Sequence, residues 1–232
     1  MEGPAASTRP AIISALGLTR VFGSGEKAVT AVNRIDLDIL SGEFLSVMGR
    51  SGSGKTTLLN LLAGLDRPTA GSVVFEGRDL AAFSESQLME LRRHKIGFVF
   101  QSFGLIPLLS AYENVELPLH ISGVSWRDRR RRALEALGLV GLGPRAQHRP
   151  YELSGGEQQR VAIARALVTG PAVIFADEPT GELDAATAIS IATLLRDLAR
   201  ERGVTLIVAT HDPTVSGMSS RTVELEDGAL TG

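Results

Sequence analysis

Gly49-Arg50-Ser51-Gly52-Ser53-Gly54-Lys55-Thr56 is the stretch whose reading decides the fold. It fits G-x-x-x-x-G-K-[ST], the pattern of a phosphate-binding loop. The apolar run Phe44 to Met48 leads into it and reads as a buried strand. Beyond it Leu58, Leu61, Leu62 and Leu65 recur at helical spacing. Strand, glycine loop and helix follow one another, as the pattern requires. Gly52 and Gly54 can take backbone angles closed to other residues. Successive N–H groups and the helix N-terminus then face an anion. The pattern assigns the β- and γ-phosphates of a nucleotide to Lys55 and a Mg²⁺ ion to the Thr56 hydroxyl, with Thr57 next in the helix. The competing reading is a Gly/Ser turn that meets the pattern by chance, and the flanking elements weigh against it.

The chain has 232 residues, 44% hydrophobic and 22% charged, which suits one large α/β domain or a core with an inserted subdomain. A net charge of −2 gives no bulk electrostatic case for nucleic acid. The absence of cysteine excludes disulfides, thiolate metal sites and thiol nucleophiles, and fits a reducing compartment. Met1-Glu2-Gly3-Pro4 opens no basic-then-apolar signal peptide, and the longest apolar runs are strand-sized. A soluble protein is expected, with any membrane role supplied by a partner.

Residues 1–10 are small and polar and are expected to be disordered. Ala11 to Leu18 reads as a strand, and Ile35, Leu37 and Ile39 alternate with Asp36 and Asp38 as a half-exposed strand does. With Val73 to Phe75 these predict a strand-rich opening, antiparallel around one parallel strand. Ser86 to His94 reads as helix and Ile96 to Phe100 as strand. Strand signals then vanish to about residue 153, and an inserted helical subdomain over 101–153 is expected between core segments 11–100 and 154–232. Within it Ser125 caps a helix expected to carry Trp126, Ala133, Leu134 and Leu137 on one face. Arg129 to Arg132 is either a solvated face or a contact for lipid headgroups or an acidic partner. From Ser154 onward strands and helices alternate. A helix from about 185 to 201 bears Ile189, Leu194, Leu195 and Leu198, and strands run over 204–210 and 222–225. That alternation argues for a parallel sheet covered on both faces.

Val173-Ile174-Phe175-Ala176 ends in Asp177-Glu178, two carboxylates at a strand end, where open α/β sheets bind ligands. Asp177 fits a Mg²⁺-side ligand and Glu178 a base for the attacking water. The alternative is a pair of surface acids that start a helix. Leu153-Ser154-Gly155-Gly156-Glu157 opens another helix with a hydroxyl and exposed N–H groups, a second phosphate-sized site. One chain does not need two sites for one γ-phosphate, so this one is read as serving a nucleotide held by another subunit. Taken alone it could be a plain helix cap.

Together, Gly49 to Thr56, Gln101, Leu153 to Glu157, Asp177-Glu178, Asp184 and His211 resemble an ABC-transporter ATPase subunit in order and spacing, over about residues 11–230. The branch it resembles is that of the MacB, LolD and FtsE types. This rests on Gly64 to Gly71, Ile96 to Gln101, Glu113 to Pro118 and Ala176 to Asp184 (ADEPTGELD). The resemblance implies an ABC cassette of the P-loop NTPase class. Its parts are a RecA-like parallel-sheet core, an N-terminal antiparallel β subdomain and an inserted α-helical subdomain. It implies ATP and Mg²⁺ as cofactors, and a homodimer that closes around two ATP. Phe22 would stack on adenine, where the family more often has tyrosine. Gln101 would sense Mg²⁺ and the attacking water. Ser154, Gly155 and Gly156 would hold the opposite protomer's γ-phosphate, Asp184 would work across the interface, and His211 would contact the γ-phosphate. Gly104, Ser110 and Glu182 depart from the branch, and Glu182 puts a charge beside the expected interface.

The expected function is an ATPase at the cytoplasmic face of the cell membrane, driving an integral permease of the FtsX or MacB kind. The alternative is a switch on a membrane partner that moves no cargo. A soluble ATPase acting on DNA or ribosomes is a third reading, which the charge and the single cassette count against. The apolar residues of Gln101 to Leu119 are read as a coupling surface or as the core of the helical subdomain.

Overall fold

The computed structural model describes residues 9–231. The expectation of disorder therefore falls, for residues 1–8, outside the described residues. β1 (Ala11–Phe22) and β2 (Val29–Leu40) form the longest hairpin, with β2 burying Ile35, Leu37 and Ile39 in strict alternation. β3 (Phe44–Met48) is buried along its centre and runs into the glycine loop. α1 (Lys55–Leu62) starts from that loop and buries Leu58, Leu59, Leu61 and Leu62. β4 (Ala70–Phe75) and β5 (Arg78–Asp79) follow, then α2 (Glu85–Lys95), capped by Ser84 and Gln87 in a reciprocal box. After β6 (Ile96–Phe100) come α3 (Ala111–Ile121), α4 (Trp126–Leu139) and α5 (Gly155–Leu167). The rest alternates: β7 (Val173–Asp177), α6 (Ala185–Arg202), β8 (Thr205–Thr210), α7 (Pro213–Ser216), β9 (Arg221–Glu226) and β10 (Ala229–Thr231).

The strands form two sheets, an antiparallel one in the order β2-β1-β4-β5 and a second in the order β10-β9-β3-β8-β7-β6. In the second sheet β9, β3, β8, β7 and β6 run parallel, and β10 returns antiparallel to β9. The chain is thus an α/β fold with a parallel-sheet core and an antiparallel β layer. One core lies between the sheets around α1, joining Ile13, Leu18 and Phe75 to Leu58, Leu62, Phe175 and Ile207. The other joins the opposite face of the parallel sheet to α3, α4, α5 and α6.

Several expectations are corrected. The opening strands do not surround β3, which pairs with β8 and β9 from the far end of the chain. A run apolar on both faces needs cover on both sides, and only the central sheet supplies it. Leu65 lies past the end of α1, where Gly64 takes a left-handed φ of 64°, and is exposed. On α4 the buried stripe is Ala133, Ala136 and Leu137, while Trp126 and Leu134 face outward. Small residues there let α4 approach α3 and α5 closely, and an indole would hold them apart. Ile189 is likewise exposed, with Ile191, Leu195 and Leu198 carrying the inner face of α6. In the basic run, Arg129 pairs with Glu116, Arg131 with Asp128 and Glu135, and Arg132 donates to Val168 O.

Candidate functional site

Adjacent parallel strands place their C-terminal ends in one line. Met48 sits beside Thr210, Ala209 beside Asp177, and Asp177 beside Phe100. The segments that follow these residues therefore meet at one edge, although they are far apart in sequence. They are the glycine loop, His211, Glu178 and Gln101, and they line a cleft of about 400 Å³ with Asp177.

The loop's glycines are required by geometry. Gly54 has φ 102°, and a Cβ there would stand 2.1 Å from Ala31 O. A Cβ on Gly49 would stand 2.4 Å from Leu225 O. The loop is thus pressed against β2 on one side and β9 on the other. Lys55 is nearly buried, its ammonium donating to Gly49 O at 2.7 Å and Arg50 O at 3.1 Å. It also lies 3.2 Å from Glu178 Oε1.

The Thr56 hydroxyl donates to Asp177 Oδ2 at 2.7 Å. Asp177 Oδ1 is buried without a hydrogen-bond partner. Burial pushes the Asp177 carboxyl up from its ordinary value, the Thr56 bond opposes this, and the Glu178 charge adds to it. Glu178 follows the strand with a left-handed φ of 46°, a conformation that costs a non-glycine residue about 1–3 kcal/mol. Its N–H donates to Ala209 O at 2.9 Å, and its O accepts from the Gly181 N–H at 3.0 Å. These bonds hold the strained turn, and the carboxylate meets Lys55 on one side and His211 Nδ1, at 3.0 Å, on the other. Gln101 is exposed and lies over Gly181, where a Cβ would come within 3.1 Å of its Nε2.

A second locus forms where α5 and α6 begin. Ser154 caps α5, its hydroxyl accepting from Glu157 N–H while Glu157 accepts from Ser154 N–H at 2.9 Å. That bond, with lesser help from Arg145, holds the Glu157 carboxyl below its ordinary value. Asp184 caps α6 and accepts from the Thr187 hydroxyl at 2.6 Å, which lowers its pKa in the same way. Gly155 and Gly156 face this second start. A Cβ on Gly156 would lie 2.6 Å from Thr187 Cγ2, and one on Gly155 would lie 3.3 Å from Leu183. Ser154, Gly155, Gly156, Glu157 and Asp184 are therefore together, but none of them lines the first cleft. Phe22, at the end of β1, does not line it either and is 43% exposed.

Comparisons with known proteins place this geometry. The family model described as "ABC transporter" matches residues 32–181. The chain belongs to the ABC transporter family. It is similar to a macrolide export ATP-binding/permease protein MacB of Marinobacter nauticus, 50% identical over 224 residues. That match takes in 97% of this chain and 34% of the relative, so the chain spans about a third of the MacB length. The lipoprotein-releasing system ATP-binding protein LolD of Chromohalobacter salexigens is 46% identical over 230 residues, 99% of this chain and 97% of that one. Among solved structures, the ATP-binding cassette MJ0796, in a dimeric post-hydrolysis state bound to ADP and Pi, superposes with a TM-score of 0.87 at 45% identity. It covers 95% of this chain and 97% of the other. The chain is thus an ABC cassette with the fold of an ATP-binding ATPase module. Among the described residues of the cassette no helix is long and apolar enough to cross a membrane.

One residue that organises the cassette's site escaped the sequence reading. Gln159 is fully buried on α5 and donates from Nε2 to Pro179 O and to Phe100 O at 3.3 Å. It ties the turn after Glu178 to the end of β6, just before Gln101. The available signal was a glutamine on the buried side of α5, four positions before Ile163.

Proposed function

We propose that the chain binds ATP with Mg²⁺ in the cleft at the sheet edge and hydrolyses it as an ATP-closed homodimer. We further propose that it drives an export-type permease from the cytoplasmic face of the cell membrane. The observation that carries this reading is the convergence of Lys55, Thr56, Asp177, Glu178 and His211 on one edge of the parallel sheet. Lys55 would grip the β- and γ-phosphates, whose oxygens would replace the acceptors its ammonium holds now. Phe22 would stack on the adenine. Gly49, Arg50, Ser51, Gly52, Ser53, Gly54 and Thr57 would wrap the phosphates with N–H groups and hydroxyls.

The residues present fit a Mg²⁺ ion. Asp177 offers a buried carboxylate oxygen with no partner beside the Thr56 hydroxyl, an oxygen-only donor set suited to a hard cation, with Gln101 nearby. When bound, the ion would neutralise charge that develops on the phosphates. Glu178 would accept a proton from the attacking water and His211 would hold the γ-phosphate. Without nucleotide Glu178 pairs with Lys55 and His211, and an arriving phosphate would draw both partners away and free the carboxylate for the water.

Ser154, Gly155, Gly156, Glu157 and Asp184 lie away from the cleft of their own chain. This supports a role toward the nucleotide of a second copy, whose γ-phosphate would dock on the start of α5. The names of the MacB and LolD relatives favour coupling to a membrane permease that moves cargo outward. The exposed Ile106 and Leu108 between β6 and α3 would contribute to the coupling surface.

The test is Glu178→Gln. It should keep ATP binding and lower turnover by about 10²-fold or more, the span of general-base catalysis. Turnover at the parent rate removes Glu178 from the mechanism. Captured from detergent-solubilised native membranes with ATP and Mg²⁺, the same tagged variant should bring down an integral permease. Recovery of soluble partners alone overturns the transport reading.

A further inference from the structure

Phe22 stands at the end of a strand with much of its ring in solvent, and as a phenylalanine it has no hydroxyl to anchor it. Its orientation depends on its neighbours. The Arg20 guanidinium lies over the ring, 4.5 Å from the centroid. One face is therefore covered, and a base can stack only on the other. Arg20 is itself held, with Nε 2.9 Å from Asp66 Oδ2 in a charge contact rather than an aligned hydrogen bond. Both side chains are largely withdrawn from solvent, at 24% and 29% exposure.

Asp66 belongs to the loop that leaves α1. Its own N–H and that of Leu65 both donate to Asn60 O within that helix, at 3.2 and 2.8 Å. Its Oδ1 accepts from Arg67 N–H at 2.7 Å. Three residues on, the Thr69 hydroxyl accepts from Val21 N–H at 3.0 Å, and Thr69 N–H donates to Thr19 O at 2.8 Å. The helix that begins with Lys55 and Thr56 is thus strutted at its far end to the segment that presents Phe22.

We propose that Arg20, fixed by Asp66, is a positioning residue that sets the Phe22 ring for the nucleotide base. The strut holds the base platform at a constant span from the phosphate grip. This rests on the reading of Phe22 as the base-stacking residue and goes beyond it. The arginine supplies a flat cation that can cover an aromatic face, and the aspartate keeps it from swinging into solvent. Its effect should be confined to ligands that carry a base.

The experiment titrates the 232-residue chain and its Arg20→Ala, Asp66→Asn and Phe22→Ala variants with ATP and with inorganic tripolyphosphate, both with Mg²⁺, and measures kcat and KM for ATP. Arg20→Ala and Asp66→Asn should bind ATP about three- to tenfold more weakly, from the lost stacking and ring ordering, with tripolyphosphate affinity unchanged. KM should rise while kcat at saturating ATP holds. Unchanged ATP affinity in Arg20→Ala, with Phe22→Ala weakened, overturns this proposal and leaves the stacking reading standing. Equal weakening toward both ligands makes the pair a general scaffold and also overturns it. Full ATP affinity in Phe22→Ala overturns the stacking reading and the proposal together.

Discussion

Replacing Thr56 with valine keeps the side-chain volume and removes one hydroxyl. That hydroxyl donates to Asp177 Oδ2 at 2.7 Å, and Asp177 Oδ1 is buried without a partner. The variant leaves a partly buried carboxylate without its side-chain donor. A hydrogen bond to a charged group contributes about 1.5–3 kcal/mol, and because Thr56 is exposed, water recovers part of the loss. The expected cost is about 1–2 kcal/mol, or roughly 2–8 °C in Tm for a domain of this size. Thr56→Ser keeps the donor and should melt near the parent.

The pH dependence isolates the cause. The folded-state pKa of Asp177 is raised above the ordinary 3.8, with burial the largest cause. An acid raised in this way costs stability above its unfolded pKa, and the cost disappears as pH falls below that value. The Thr56 bond lowers the cost by favouring the ionised form. Its loss raises the pKa further and is felt most at neutral pH. Calorimetry should therefore show the gap between Thr56→Val and the parent narrow as pH falls through the Asp177 titration. Equal Tm for Thr56→Val and Thr56→Ser at pH 7, or a gap that ignores pH, refutes the reasoning.

Two further outcomes follow from close approaches. Gly156→Ala places a Cβ 2.6 Å from Thr187 Cγ2, and Thr187 cannot swing freely because its hydroxyl is bound to Asp184. ATP binding by the single chain should be unchanged, and ATP-dependent dimerisation in light scattering should weaken about tenfold, the equivalent of about 1.4 kcal/mol of repacking. Parent-like dimerisation counts against the α5 start as part of the interface. Gly97→Ala drives a Cβ to 2.4 Å from Ala166 O, a methyl against backbone where β6 meets α5. It should lower stability by about 1–3 kcal/mol, and an unchanged melting curve shows that the two elements part easily.

Much of the candidate site was legible because its residues stand in short runs. The glycine loop, the two acids at the end of β7 and the capped start of α5 each need particular residues at fixed local offsets. The misreadings came where side-chain size chose between faces, as on α4, where alanines rather than Trp126 face inward. Arg20 and Asp66 were also invisible as a unit, because an arginine in one strand and an aspartate in a distant loop each read, in sequence, as ordinary surface residues.

The sequence by itself determined most of the longer strands and helices, where several helices begin, and that Gly52 and Gly54 take backbone angles closed to other residues. Those features follow from side-chain periodicity, capping and the freedom of glycine, all local to a few residues. Only the tertiary structure decided that β3 lies between β8 and β9, and hence that Thr56 meets Asp177 and Glu178 meets both Lys55 and His211. Apolar runs such as Phe44 to Met48, Val173 to Ala176 and Thr205 to Thr210 are all suited to a buried parallel sheet and carry no address for a neighbour. Strand order is chosen by the packing of the whole core, whose contacts repay the entropy of closing long loops. Lys55, Asp177, Glu178 and His211 converge because that order places the ends of β3, β8, β7 and β6 side by side.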